Sequence, residues 1–121
     1  MNSWRLTLEK HPNVLAFAKN AGLGFAIPYM HNGQMHDYMS DFLIRLQADG
    51  MEVGMLILET KGYDPLEQVK AAAAYRWVHA VNADGQYGRW NYCIARKMTD
   101  IERIVSEETE KLKSLTDISA P

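Results

Sequence analysis

The apolar positions of this chain fall into blocks whose spacing alternates between strand-like and helix-like. Two blocks lie close together in the middle, Phe42, Leu43, Ile44, Leu46 and then Met55, Leu56, Ile57, Leu58. Between them stands Asp49-Gly50, a dipeptide suited to the positive φ angles of a tight turn, so antiparallel arms are predicted over about 40–46 and 53–61. Upstream, Phe25 to Tyr29 reads as a short strand ended by His31-Asn32-Gly33-Gln34, a second hairpin turn leading directly into the strand that carries Asp41. Ser3 to Asn20 reads as helical, anchored by Trp4, Leu8, Val14, Leu15 and Phe17, and bent or restarted at Pro12. Lys19-Asn20 with Gly22 and Gly24 supplies its stop.

Beyond the central hairpin, Leu66 to about Val81 is predicted as a helix with a buried stripe of Val69, Ala73, Trp77 and Ala80. Its alanine run at 71–74 favours helix and allows close approach to a sheet. Arg89 to Ala95 is a further strand, with Trp90, Tyr92 and Ile94 on one side and Asn91 and Cys93 on the other. Asp100 caps a last amphipathic helix carrying Ile101, Ile104, Val105 and Leu112, and 114–121 reads as a flexible tail. The order helix, strand, strand, strand, helix, strand, helix predicts one α/β domain over 1–113. Its architecture is a sandwich, a central mixed sheet of about four strands flanked by helices.

Composition narrows the class. The chain has 121 residues, 47% of them apolar, enough for one modest core. Cys93, the single cysteine, excludes a disulfide framework and reads as a core residue. Neither a signal-peptide segment nor an apolar run near 20 residues is present, which predicts a soluble cytoplasmic protein without a membrane span. Thirteen Lys and Arg against 15 Asp and Glu give a net charge of -2, which argues against tight autonomous binding to nucleic acid.

Candidate chemistry gathers at one end of the central hairpin. Glu59 and Lys61 follow the second apolar run and, by strand alternation, point to one face with Thr60 on the other. Counting outward from Asp49-Gly50 brings Asp41 nearly opposite Glu59. Like charges so placed, roughly 5 Å apart, are destabilising unless a cation compensates them. Mg²⁺ would do so, since it takes one or two carboxylates with waters and phosphate oxygens at about 2.1 Å. A salt bridge to Lys61 is the other way to relieve the same repulsion. His31 and His36 flank the upstream turn without cysteine partners and read as surface histidines. Tyr29 and Tyr38 read as packing residues, with a groove-lining role as the second reading.

The segments LGFAIPY (23–29), YMSDFLIRL (38–46), LILETKGY (56–63), KAAAAYRWVHAVN (70–82) and GRWNY (88–92) occur in an order that resembles the PD-(D/E)XK nuclease superfamily. Within it they are similar to the C-terminal endonuclease domain of type III restriction enzyme Res subunits. The resemblance covers about Trp4 to Ile94. It implies a restriction-endonuclease-like sandwich and a metal-dependent endonuclease that hydrolyses DNA phosphodiester bonds within a restriction or helicase-nuclease system. Asp41, Glu59 and Lys61 would be catalytic, and Mg²⁺, or Mn²⁺ in its place, would be held by Asp41, Glu59 and the Thr60 carbonyl. Glu9 and Lys70 are accessory candidates, and Ser40, Arg45 and Arg76 are candidate nucleic-acid contacts. DNA and a helicase, translocase or specificity subunit are the implied partners, with a homodimer as a further assembly. Two positions depart from the family pattern: Ser40 stands where proline is usual, and Arg5 follows Trp4 where Glu is common. These departures keep open a catalytically impaired module that binds DNA or a protein, and a domain serving assembly alone.

Overall fold

A two-stranded hairpin is not stable alone in water, and the central one here finds its neighbours from both ends of the chain. The structure, a computed structural model, describes residues 3–60 and 64–119. Helix α1 (Ser3–Lys10) is followed by β1 (Val14–Lys19), β2 (Ile27–His31), β3 (Gln34–Tyr38), β4 (Phe42–Ala48) and β5 (Met51–Thr60). Then come α2 (Glu67–Asp84), β6 (Trp90–Ala95) and α3 (Asp100–Ser119). The main sheet has the order β1-β4-β5-β6. β1, β4 and β5 run antiparallel to their neighbours and β6 parallel to β5, so the sheet is mixed and four-stranded as expected.

The membership of that sheet differs from expectation. The helix predicted over 3–20 stops at Lys10, and 14–19 is a strand, β1, on the sheet edge. The His11 side chain is turned inward to α3: its Nδ1 accepts the Asn13 N–H, leaving Nε2 to face the Glu102 carbonyl and Ser106 Oγ, each at 3.1 Å. Pro12 has no N–H to continue a helix, and Asn13 Nδ2 donates to the Gln47 carbonyl (2.9 Å), fastening the chain beside β4. The strand predicted near 25–29 lies at 27–31 and does not join the Asp41 strand in one sheet. Among the described residues it pairs with β3 alone, across an Asn32-Gly33 turn with φ of 52° and 75°. The tail predicted from 114 is helical through Ser119.

Two cores sandwich the sheet. Leu8 of α1 and Ile101, Ile104, Val105 and Leu112 of α3 pack on Phe42, Ile44, Leu46, Leu56 and Leu58. On the other face Ala73, Ala74 and Val78 of α2, with Ile27, Tyr29 and Tyr38 of the β2–β3 hairpin, pack on Ile57 and Tyr92. The predicted α2 stripe is thus rotated: Val69 and Trp77 are partly buried, and Ala80 is exposed. On α3 the carboxylate of Glu108 is buried, accepting from Asn91 Nδ2 and from Lys111 Nζ (3.0 Å). Asn82 covers the edge of β6, receiving the Trp90 N–H (2.8 Å) and donating to its carbonyl (2.9 Å).

Candidate functional site

The hairpin β4–β5 turns at Asp49 and Gly50, whose φ angles of 54° and 80° fit the predicted tight turn. Its ladder is not uniform. Gln47 faces Glu52 and Leu46 faces Gly54, so Val53 is an extra residue in β5. Counting from the turn leaves Asp41 and Glu59 one position out of step, and this bulge removes the offset. From Leu46 to Phe42 the pairing is regular, ending at Phe42 opposite Leu58, and the next step sets Asp41 beside Glu59.

Hydrogen bonds fix that juxtaposition. The Asp41 N–H donates to Glu59 Oε1 (3.1 Å), and the Asp41 carbonyl accepts the Asn20 N–H (2.8 Å). Asp41 Oδ2 accepts both the N–H and the hydroxyl of Thr60, at 2.8 and 2.6 Å. Such charge-assisted bonds hold one carboxylate oxygen in place while the other is not engaged by them. Glu59 is only 3% exposed, and a carboxylate that deep requires hydrogen bonds or a countercharge.

Tyr38 supplies one such bond from the end of β3. Its hydroxyl lies 2.8 Å from that of Tyr92 and also hydrogen-bonds Glu59. Burial, then the bond and field of Tyr92, then Glu59, push the ionisation of Tyr38 far above the ordinary tyrosine range, so it remains a neutral donor. Lys70 stands over the Tyr38 ring at 5.6 Å from its centre and pairs with Asp64 Oδ2 at 3.1 Å. Asp64 Oδ1 accepts the Leu66 N–H (2.9 Å), and Arg96 pairs with Glu67, so the start of α2 is pinned at this end of the sheet.

The structure therefore brings Asp41, Glu59 and Thr60 together and sets Lys70 one ring away. Lys61 lies outside the described residues. Glu9 is exposed on α1, which packs with α3 on the face opposite Ile57. Arg45 is exposed near the turn end of β4 and is paired with Glu52; Arg76 is exposed on α2. Ser40 is buried, and its Oγ has no hydrogen-bond partner among the described residues. His31 and His36 sit 6.4 Å apart, ring to ring, with His36 stacked on Tyr29.

Sequence reasoning missed Tyr92, the role of Tyr38, and Asn20. The tyrosines carry only a strand-aromatic signal, and Lys19-Asn20 with Gly22 and Gly24 reads as a helix stop, whereas the segment that ends there is the strand β1. Among the described residues no cluster of three or more His, Cys, Asp or Glu is placed to hold a metal. The donor set is instead two carboxylates flanked by buried neutral oxygens, which suits a hard, partly hydrated cation such as Mg²⁺ rather than zinc. A cavity of about 550 Å³ lined by Tyr75, His79, Arg89 and Lys111 lies at the other end of β6, away from the pair. Compared with protein-family models, curated proteins and solved structures, the chain matches none.

Proposed function

We propose that the chain is a metal-dependent endonuclease domain of the PD-(D/E)XK type, hydrolysing DNA phosphodiester bonds in the cytoplasm as part of a restriction or helicase-nuclease system. The observation that carries this reading is the Asp41–Glu59 pair, set side by side across two antiparallel strands, with Asp41 oriented by both donors of Thr60. A second support is the order of elements. With the β2–β3 hairpin set aside, α1, β1, β4, β5, α2 and β6 run helix, strand, strand, strand, helix, strand, with the acids at the ends of the two central strands.

In this reading Asp41 and Glu59 would hold Mg²⁺, joined by the Thr60 carbonyl, and the ion would supply an activated water and charge to offset that of the phosphate. Thr60 keeps Asp41 in one rotamer, and Tyr38 keeps Glu59 directed into the pair rather than toward solvent. Lys61, by the same resemblance, orients the attacking water and stabilises developing charge. Lys70 neutralises the rim at Asp64.

A second reading is favoured by the charges. Arg45 and Lys70 are neutralised by Glu52 and Asp64, and the chain carries a net -2, which suits a module that meets DNA only alongside a helicase, translocase or specificity partner. Cleavage of supercoiled plasmid with Mg²⁺, Mn²⁺ or EDTA separates the two. Metal-dependent nicking lost in folded Asp41→Ala and Lys61→Ala variants is expected of the nuclease. Metal binding without nicking by the parent would favour the partner-dependent module, and absence of both would end the enzyme reading.

A further inference from the structure

We propose that Asn20 belongs to the cation site, its side-chain oxygen Oδ1 facing the bound cation or a water of its hydration shell; this rests on the Asp41–Glu59 metal reading. The ladder gives the placement. Its last pairs are Lys19 opposite Phe42 and Phe42 opposite Leu58, so one step further sets Asn20, Asp41 and Glu59 in a row across three strands. Two hydrogen bonds run along that row, Asn20 N–H to the Asp41 carbonyl and Asp41 N–H to Glu59. Strand alternation carried one step past Lys19 sends the Asn20 side chain to the face on which Leu43 and Ile57 pack with α2, the face that Glu59 of β5 also takes, and the Asp41 carboxylate at the strand end turns to Thr60.

The Asn20 side chain is 2% exposed and is held at one atom only. Its Nδ2 donates to the Phe25 carbonyl at 2.8 Å, and a carbonyl can only accept, so the amide is oriented with oxygen at the other position. That Oδ1 is buried and has no hydrogen-bond partner among the described residues. A buried acceptor without a protein donor is costly and uncommon, and such an atom is ordinarily met by a water, an ion or a ligand. Ser40 Oγ, on the residue before Asp41, is buried without a partner in the same way. Among the described residues, two carboxylates and two neutral oxygens, those of Asp41, Glu59, Asn20 and Ser40, then border one end of the sheet. That is the chemistry of Mg²⁺, Mn²⁺ or Ca²⁺, for which asparagine carbonyl oxygens are ordinary ligands.

The test is Mn²⁺ binding by the full chain, free Mn²⁺ being read by electron paramagnetic resonance, with near-ultraviolet dichroism to verify folding. Asp41→Asn examines the underlying reading and is expected to abolish binding. Asn20→Ala is expected to weaken binding at least fivefold, and Asn20→Asp, which adds a charged oxygen at the same place, to tighten it at least fivefold. If Asp41→Asn is inactive toward Mn²⁺ while both Asn20 variants bind within twofold of the parent, the metal reading stands and Asn20 is structural only. Should Asn20→Ala not fold, the Asn20→Asp arm decides. A parent that binds no Mn²⁺ overturns both the reading and this proposal.

Discussion

Gly54→Ala tests the arrangement that brings the candidate site together. Gly54 follows the bulged Val53 and lies where β5 meets both β6 and α3. A Cβ at this position would stand 2.6 Å from the Arg89 carbonyl oxygen and 3.0 Å from Leu112 Cδ1. Ordinary carbon–oxygen contacts are about 3.3 Å or longer, so β5 and β6 would separate by about 0.7 Å at that point. The contacting oxygen is backbone and accepts the Met55 N–H at 2.8 Å, so it cannot yield as a flexible side chain would. Overpacking costs about 1–3 kcal/mol, and loss of the ladder hydrogen bond about 1 kcal/mol more. The φ of 155° adds strain for any residue with a Cβ. Reduced freedom of the unfolded chain returns about 0.4–1 kcal/mol. The net is a loss of about 2–4 kcal/mol, which for a domain of this size lowers Tm by about 8–16 °C. Gly50→Ala is the control: its φ is also positive, at 80°, but nothing lies within 4 Å of the added Cβ, so only about 1–2 kcal/mol of conformational strain is expected. Calorimetry of the two variants beside the parent decides. If Gly54→Ala melts within 2 °C of the parent, or no lower than Gly50→Ala, the close β5–β6 pairing and the bulge beside it are wrong.

Thr60→Val removes the hydroxyl bond to Asp41 with little change of shape; urea unfolding should show a loss of about 1–2 kcal/mol, and Mn²⁺ affinity should fall with it. Tyr38→Phe should cost about 1–3 kcal/mol because it leaves Tyr92 and Glu59 without a shared partner, and a cycle with Tyr92→Phe should be less than additive. The same variant tests alkaline stability. Tyr38 stays protonated in the folded state at pH values where unfolded tyrosine ionises, so its contribution is intact below about pH 10 and lost above it at about 1.4 kcal/mol per pH unit. Urea midpoints at pH 9 and 11 should converge in Tyr38→Phe relative to the parent. Cys93 has its thiol raised by burial first and then by the Glu108 charge, so iodoacetamide at pH 8 should modify it at least about tenfold more slowly than free cysteine. A Glu108→Gln variant that reacts no faster would remove Glu108 from that account.

The parts of the site that the sequence discloses are those fixed by local chemistry. Asp49-Gly50 selects its turn wherever it occurs between apolar arms, so the β4–β5 hairpin and the meeting of Asp41 with Glu59 follow from residues 40–61 alone. Gly54, an isolated glycine in a strand, already signals the bulge that corrects the count from nearly opposite to opposite. Residues 14–17 carry no comparable local signal, since Val14, Leu15 and Phe17 satisfy a helical turn as readily as a strand. Their strand state is decided by Asn13 reaching Gln47, 34 residues on, and by His11 reaching Glu102, 91 residues on. Asn20 inherits that ambiguity: assigned to the end of a helix it is a stop signal, and at the end of a strand it stands beside Asp41. Tyr38 and Tyr92 come from β3 and β6, which belong to different sheets, and meet only because the β2–β3 hairpin folds onto the α2 face. A charged pair at a strand end is therefore legible from its own hairpin. The neutral oxygens and hydroxyls that surround it depend on how distant elements pack, and the unpartnered Oδ1 of Asn20 can be recognised only once that packing is known.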